Sequence, residues 1–102
     1  MATYAVSFNI HYDTANSYNE RYESLMDEIK KCPKFWLETT SFCLCETNET
    51  LETFERRLYL SKFSPTKDKM LVLDVRYDDA IARGNIKDQM TLRSLLPSVV
   101  VK

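Results

Sequence analysis

Tyr4-Ala5-Val6-Ser7-Phe8-Asn9-Ile10 carries large apolar side chains at positions 4, 6, 8 and 10 and small or polar ones at 5, 7 and 9. A period of two is that of a β-strand with one face on a core. The segment therefore predicts a first strand that lies centrally in a sheet. Downstream, residues 11 to 16 include Asp13, Thr14 and Asn16, which favour a loop, and Asn16 or Ser17 is placed to cap a helix. From there Tyr18, Tyr22, Leu25, Met26 and Ile29 form one helical stripe, opposite Glu20, Arg21, Asp27, Glu28 and Lys30. Lys30 and Lys31 suit the C-terminal dipole, and Pro33 stops the helix.

Residues 35 to 46 are rich in aromatic and β-branched types, with the polar run Glu38-Thr39-Thr40-Ser41 in their middle. They predict strands near 35 to 39 and 41 to 46. Thr47, Asn48 and Thr50 are available caps for a second helix with Leu51, Phe54 and Leu58 inward and Glu52, Glu55 and Arg56 outward, ending before Ser64-Pro65. Residues 70 to 77 are nearly all apolar until Asp74. They predict a strand that is either covered on both sides or laid against a helical layer. Asp78-Asp79-Ala80 and Gly84 mark loop, residues 88 to 96 allow two helical turns before Pro97, and Val99-Val100-Val101 allows a short last strand.

The order β-α-β-β-α-β is the split βαβ or ferredoxin-like arrangement of the α+β class, with strand order 4-1-3-2 and two helices on one face of an antiparallel sheet. No repeat, linker or low-complexity stretch divides residues 1 to 102, which read as a single domain with a short C-terminal extension. The other sheet face is expected to lack a helical cover. An aromatic content of 12% favours a partner chain there.

With 14 Lys+Arg against 15 Asp+Glu in 102 residues, the net charge is −1, too small for a global field that gathers nucleic acid or anionic lipid. A hydrophobic fraction of 44% argues against disorder. No segment approaches the ~18 apolar residues needed to span a bilayer. Met1-Ala2-Thr3-Tyr4 lacks a basic n-region, so a cytoplasmic protein with no membrane partner is expected, its Cys32, Cys43 and Cys45 free thiols. One glycine cannot build a Gly-rich phosphate loop.

Three groups of residues carry possible chemistry. His11, the only histidine, stands beside Asp13 and is suited to general acid–base work, against the simpler account of a solvated loop histidine. Cys43 and Cys45 share one face and, with His11 or Cys32, are candidate zinc ligands; without a second ligand pair they read as small apolar core residues with no basic neighbour to activate them. Tyr4, Phe35, Trp36, Phe42 and Tyr77 suggest a base-stacking platform. The charges among them, Lys34, Glu38, Glu46, Asp74 and Arg76, are too mixed to attract phosphate. Arg56, Arg57, Lys62, Lys67 and Lys69 form the one basic concentration, diluted by Glu52 and Glu55 into a solvated face.

The step Phe8-Asn9-Ile10, Tyr18, the run Leu25 to Ile29, Trp36, the run Thr40 to Thr47 and Lys69-Met70-Leu71-Val72-Leu73 carry a resemblance over about residues 3 to 77. In these the chain resembles the CRISPR-associated dimeric adaptation endoribonuclease and its relatives, including the virulence-associated protein D toxins. The resemblance implies a ferredoxin-like protomer, a homodimer made through the sheets and a C-terminal segment such as Val99 to Val101 crossing to the partner. In some relatives it also implies metal-dependent cleavage of nucleic acid. Where those nucleases end the first strand in a metal-holding aspartate, this chain has Asn9, and an amide is a poorer ligand for a hard cation. The expectation is a homodimeric binding or regulatory protein in a phage or bacterial defence context, without catalysis or cofactor, its partner a protein or nucleic acid. The alternative is an endoribonuclease using Mg or Mn with Asn9, His11 and Asp13.

Overall fold

A computed structural model describes residues 1 to 75 and 79 to 102. Arg76, Tyr77 and Asp78 lie outside the described residues, so neither the end of the 70 to 77 strand nor the place of Tyr77 in a stacking platform is described. The chain runs β1 (Ala2–Asn9), α1 (Ala15–Ile29), β2 (Lys34–Trp36), β3 (Phe42–Thr47), α2 (Leu51–Tyr59), β4 (Lys69–Asp74), β5 (Ala80–Ala82), α3 (Gln89–Leu95) and β6 (Val99–Val101). The first four strands form an antiparallel sheet of order β2-β3-β1-β4, which read from the β4 edge is 4-1-3-2. The fold is α+β, and β1 lies between β3 and β4.

The alternation in β1 builds two separate cores. Tyr4, Val6, Phe8 and Ile10 face α1 and α2, where they pack with Leu25, Ile29, Cys32, Cys43, Cys45, Phe54 and Leu58. Tyr4 stacks on Phe54 with ring centroids 5.1 Å apart, and its hydroxyl donates to the Glu49 carbonyl at 2.8 Å. Ala5, on the opposite face, packs with Trp36 and Leu44 under Leu92 and Leu95 of α3.

The sequence reading expected the second face to lack a helical cover; instead α3 covers the part of it formed by Ala5, Trp36 and Leu44. Glu38 is the reason. It leaves the predicted 35 to 39 strand, so that β2 stops at Trp36, and its carboxylate accepts from the backbone N–H groups of Lys87 and Asp88 (2.8 and 2.9 Å) and from Trp36 Nε1 (2.8 Å). That holds the start of α3 over the sheet. Ala80, expected in a loop, opens β5, which runs in parallel register with β6: Ala80 with Val99, Ile81 with Val100, Ala82 with Val101. Ala82, Val99 and Val101 add to the second core.

Local details also differ. Thr14 caps α1 rather than Asn16 or Ser17, its hydroxyl accepting from Ser17 N–H at 3.2 Å. Thr50 caps α2 as one of the three expected candidates. This helix ends at Tyr59, with Ser61 N–H turned back to the Leu58 carbonyl. Leu51, expected inward, is the first residue of α2 and is exposed, as the turn that would bury it has not yet begun. β4 is an edge strand against the helical layer: Met70 and Val72 pack on the helix-side core, while Leu71 and Leu73 stand exposed on the other face.

Candidate functional site

The predicted site residues gather where β1 runs into α1, and an ion network organises that corner. Ile10 is buried in the helix-side core, which brings the next backbone group, His11 N–H, to Asp68 Oδ1 at 2.9 Å. The Asp68 side chain is wholly inaccessible. It also accepts from Ser64 N–H at 2.9 Å and from Arg21 Nε at 3.0 Å. Arg21, read from sequence as a solvent-facing helix residue, is buried. Its remaining guanidinium nitrogens reach the His11 carbonyl, Ser17 Oγ and, at 3.3 Å, Asp13 Oδ2.

Asp13 is held from several sides. Lys67 Nζ lies 2.9 Å from Oδ2, Thr14 N–H donates to Oδ1 at 2.7 Å, and Ser17 Oγ donates to Oδ2 at 3.1 Å. The Lys67 ammonium, with the Thr14 amide and Arg21, keeps the Asp13 carboxyl well below the usual carboxylate range. Burial pushes Asp68 upward, but donation from Ser64, His11 and Arg21 outweighs it and leaves that carboxyl lowered too. Two cations, Arg21 and Lys67, face two carboxylates. Both acids are permanently ionised at neutral pH, with their oxygens already occupied.

Asn9, His11 and Asp13 are therefore close in sequence but not assembled into one chemical group. Asn9, next to the core-facing Phe8 and Ile10, takes the opposite sheet face, in register with Lys69. Asp13 turns to Arg21 and Lys67. The tie of His11 to Asp68 is through its backbone amide, and the residue is exposed. The sequence reading missed Arg21 and Asp68. The only signal for them was one aspartate in the polar run Ser64-Pro65-Thr66-Lys67-Asp68, which looks like any loop.

The cysteines lie elsewhere, all three buried in the helix-side core. Cys43 and Cys45 sulfurs are 3.8 Å apart, and Arg57 Nη2 donates to Cys32 Sγ at 3.5 Å. A basic neighbour is present after all, but it does not activate the thiol: contact with Cys45 and burial push Cys32 up, against the pull of Arg57. Cys45 is lowered by Cys32 yet ends raised, because Cys43 and burial prevail. Arg57 is in any case occupied by Glu49 (2.7 Å) and Glu28 (3.4 Å). Among the described residues no group of three or more His, Cys, Asp or Glu is placed to hold a metal ion.

The supposed stacking platform is divided between the faces. Tyr4 and Phe35 belong to the helix-side core, Trp36 and Phe42 to the core beneath α3. Three of the five residues of the basic concentration are in ion pairs, Arg57 and Lys67 as above and Lys62 3.9 Å from Glu20. An aromatic cleft of about 320 Å³ opens between α1 and the β2–β3 loop, lined by Phe8, Tyr18, Tyr22 and Met26 with Thr39 and Ser41 at its rim. Among the described residues, no helix is long and apolar enough to cross a membrane. Neither a family model, nor a curated protein, nor a solved structure matches this chain.

Proposed function

We propose that this chain is a ferredoxin-like, homodimeric binding or regulatory protein related to the CRISPR adaptation subunit, acting in a phage or bacterial defence setting without catalysis. The strand order 4-1-3-2, with α1 and α2 together on one face, supports the ferredoxin-like part of the reading. The observation that carries the non-catalytic part is Asp13. It is the acidic residue closest in sequence to the end of β1, and its oxygens are taken by Lys67, Arg21, Ser17 and Thr14 while Asn9 contributes only an amide. Hard cations such as Mg and Mn bind through anionic oxygen. Drawing Asp13 into a metal site requires breaking two ion pairs first.

Incubation of the purified chain with single-stranded and duplex RNA in Mg or Mn tests this. Intact RNA is expected. Cleavage that is stopped by a chelator and by Asp13→Ala overturns the reading in favour of a metal-dependent endoribonuclease.

A further inference from the structure

The aromatic cleft between α1 and the β2–β3 loop shares no residue with the ion network at the β1–α1 corner, and its two sides differ in chemistry. One side is built from rings. Tyr18 and Tyr22 stand one helical turn apart on α1 and so share a face. Their rings are stacked, with centroids 5.9 Å apart and planes 15° off parallel, and the Phe8 ring lies 6.1 Å from that of Tyr22. The other side is the loop, which brings Thr39, Thr40 and Ser41 to the rim. Ser41 is the only described residue other than glycine with a positive φ, 56°, a conformation that L side chains seldom adopt. Its carbonyl accepts from Phe8 N–H at 3.0 Å, which ties the loop to the strand beside the rings.

Five hydroxyl-bearing residues, Tyr18, Tyr22, Thr39, Thr40 and Ser41, therefore line one cleft. None of their hydroxyls has a hydrogen-bond partner among the described residues. A ligand of pure hydrocarbon would bury these groups unpaired, which is costly. Glu38 is the one lining residue charged at neutral pH, and its carboxylate is taken by the Lys87 and Asp88 amides and Trp36 Nε1. Among the described residues no lysine or arginine lines the cleft, so it offers no cation to a phosphate or carboxylate.

A hydroxyl both donates and accepts, so several together suit a ligand edge on which donors and acceptors alternate. A flat face for the rings, joined to such an edge, is the chemistry of a nucleobase. The cleft volume of about 320 Å³ is at the small end of ligand pockets, the size for one or two fused rings and a sugar. We propose that this cleft binds the base of a free nucleoside, stacked on the Tyr18 and Tyr22 side and hydrogen-bonded through its edge to the loop hydroxyls. An unpaired RNA strand presents the same base, but its affinity draws mainly on phosphate contacts that this cleft does not offer. The inference is independent of the homodimeric reading above, and its failure leaves that reading in place.

Titration of the isotope-labelled full chain with adenosine, guanosine, cytidine and uridine, read by amide chemical shifts, tests it. At least one nucleoside is expected to move the amides of Tyr18, Tyr22 and residues 39 to 41 saturably. Ribose, polar without a flat face, and toluene, flat without a polar edge, are expected not to. Tyr18→Phe/Tyr22→Phe keeps both rings and is expected to weaken binding about tenfold, as the loss of two modest hydrogen bonds requires. Ser41→Gly keeps the turn, because glycine accepts a positive φ, and is expected to weaken binding several-fold with an unchanged circular dichroism spectrum. Silence with all four nucleosides, toluene binding as tightly as they do, or wild-type affinity in both variants overturns the proposal. So does a single-stranded RNA that binds where nucleosides do not, with an affinity that falls as salt rises.

Discussion

Arg21 Nε and Asp68 Oδ2 are 3.0 Å apart, between side chains only 8% and 0% exposed and 47 positions apart in the chain. The pair joins the second turn of α1 to the loop that feeds β4. Because Asp68 also accepts from His11 and Ser64, one carboxylate ties three segments: the exit of β1, α1 and the approach to β4. Removing one partner of such a pair strands the other charge in a dry environment, which costs far more than a surface ion pair returns.

Asp68→Ala is expected to lower the unfolding free energy by about 3 kcal/mol, from the usual cost of breaking a buried pair. Lys62→Ala, which removes an exposed 3.9 Å contact to Glu20, is expected to leave it unchanged within error. Urea denaturation of the two variants beside the wild type makes the comparison. Equal effects would mean that the Asp68 cluster is no more than a surface ornament.

Acid should unfold the protein through the same group. Asp68 titrates below its ordinary value of 3.8 when folded, so its contribution to stability is fully present above that value. It is lost as pH falls through the lower, folded value. Asp13, Glu28, Glu38 and Glu49 are lowered as well and act with the same sign. The melting temperature is expected to hold near neutrality and fall below about pH 4, given the unperturbed carboxylate range. In Asp68→Asn that acid limb should be shallower; an identical slope would remove Asp68 from the account.

Glu38→Ala should loosen α3 without unfolding the sheet. The carboxylate holds the Lys87 and Asp88 amides and the Trp36 indole together, and Trp36 is the only tryptophan. A red shift of its emission is expected, with a smaller loss of global stability than Asp68→Ala produces. Unshifted emission would show that α3 needs no such anchor.

The thiols should be silent in the folded state. Cys32, Cys43 and Cys45 are buried, and the shifts of Cys32 and Cys45 are upward, so little thiolate exists at neutral pH. An aromatic disulfide reagent is expected to titrate none of them rapidly in buffer and all three in denaturant. Fast reaction of one thiol in buffer would show that the core opens at Cys32, the most accessible of the three.

What the residues determined by themselves is what nearest neighbours encode. The period of two over residues 4 to 10 fixes which β1 side chains meet the helices, the stripe Tyr18 to Ile29 fixes the face of α1, and the run Thr47 to Thr50 holds the cap of α2, which the folded chain takes from Thr50. These depend on spacings of two to four residues, so a linear pattern carries them. Asn9, His11 and Asp13 were also found at the β1–α1 junction from the sequence, but Asp13's second cation, Lys67, comes from 54 residues downstream. The burial of Arg21, the anchoring of α3 by Glu38 and the parallel pairing of β5 with β6 were decided only by tertiary structure. A charged side chain on a polar helix face and one in a dry ion pair look alike in sequence. What separates them is whether the folded chain brings an opposite charge and excludes water, and Asp68 is placed to do so only once β4 has paired with β1.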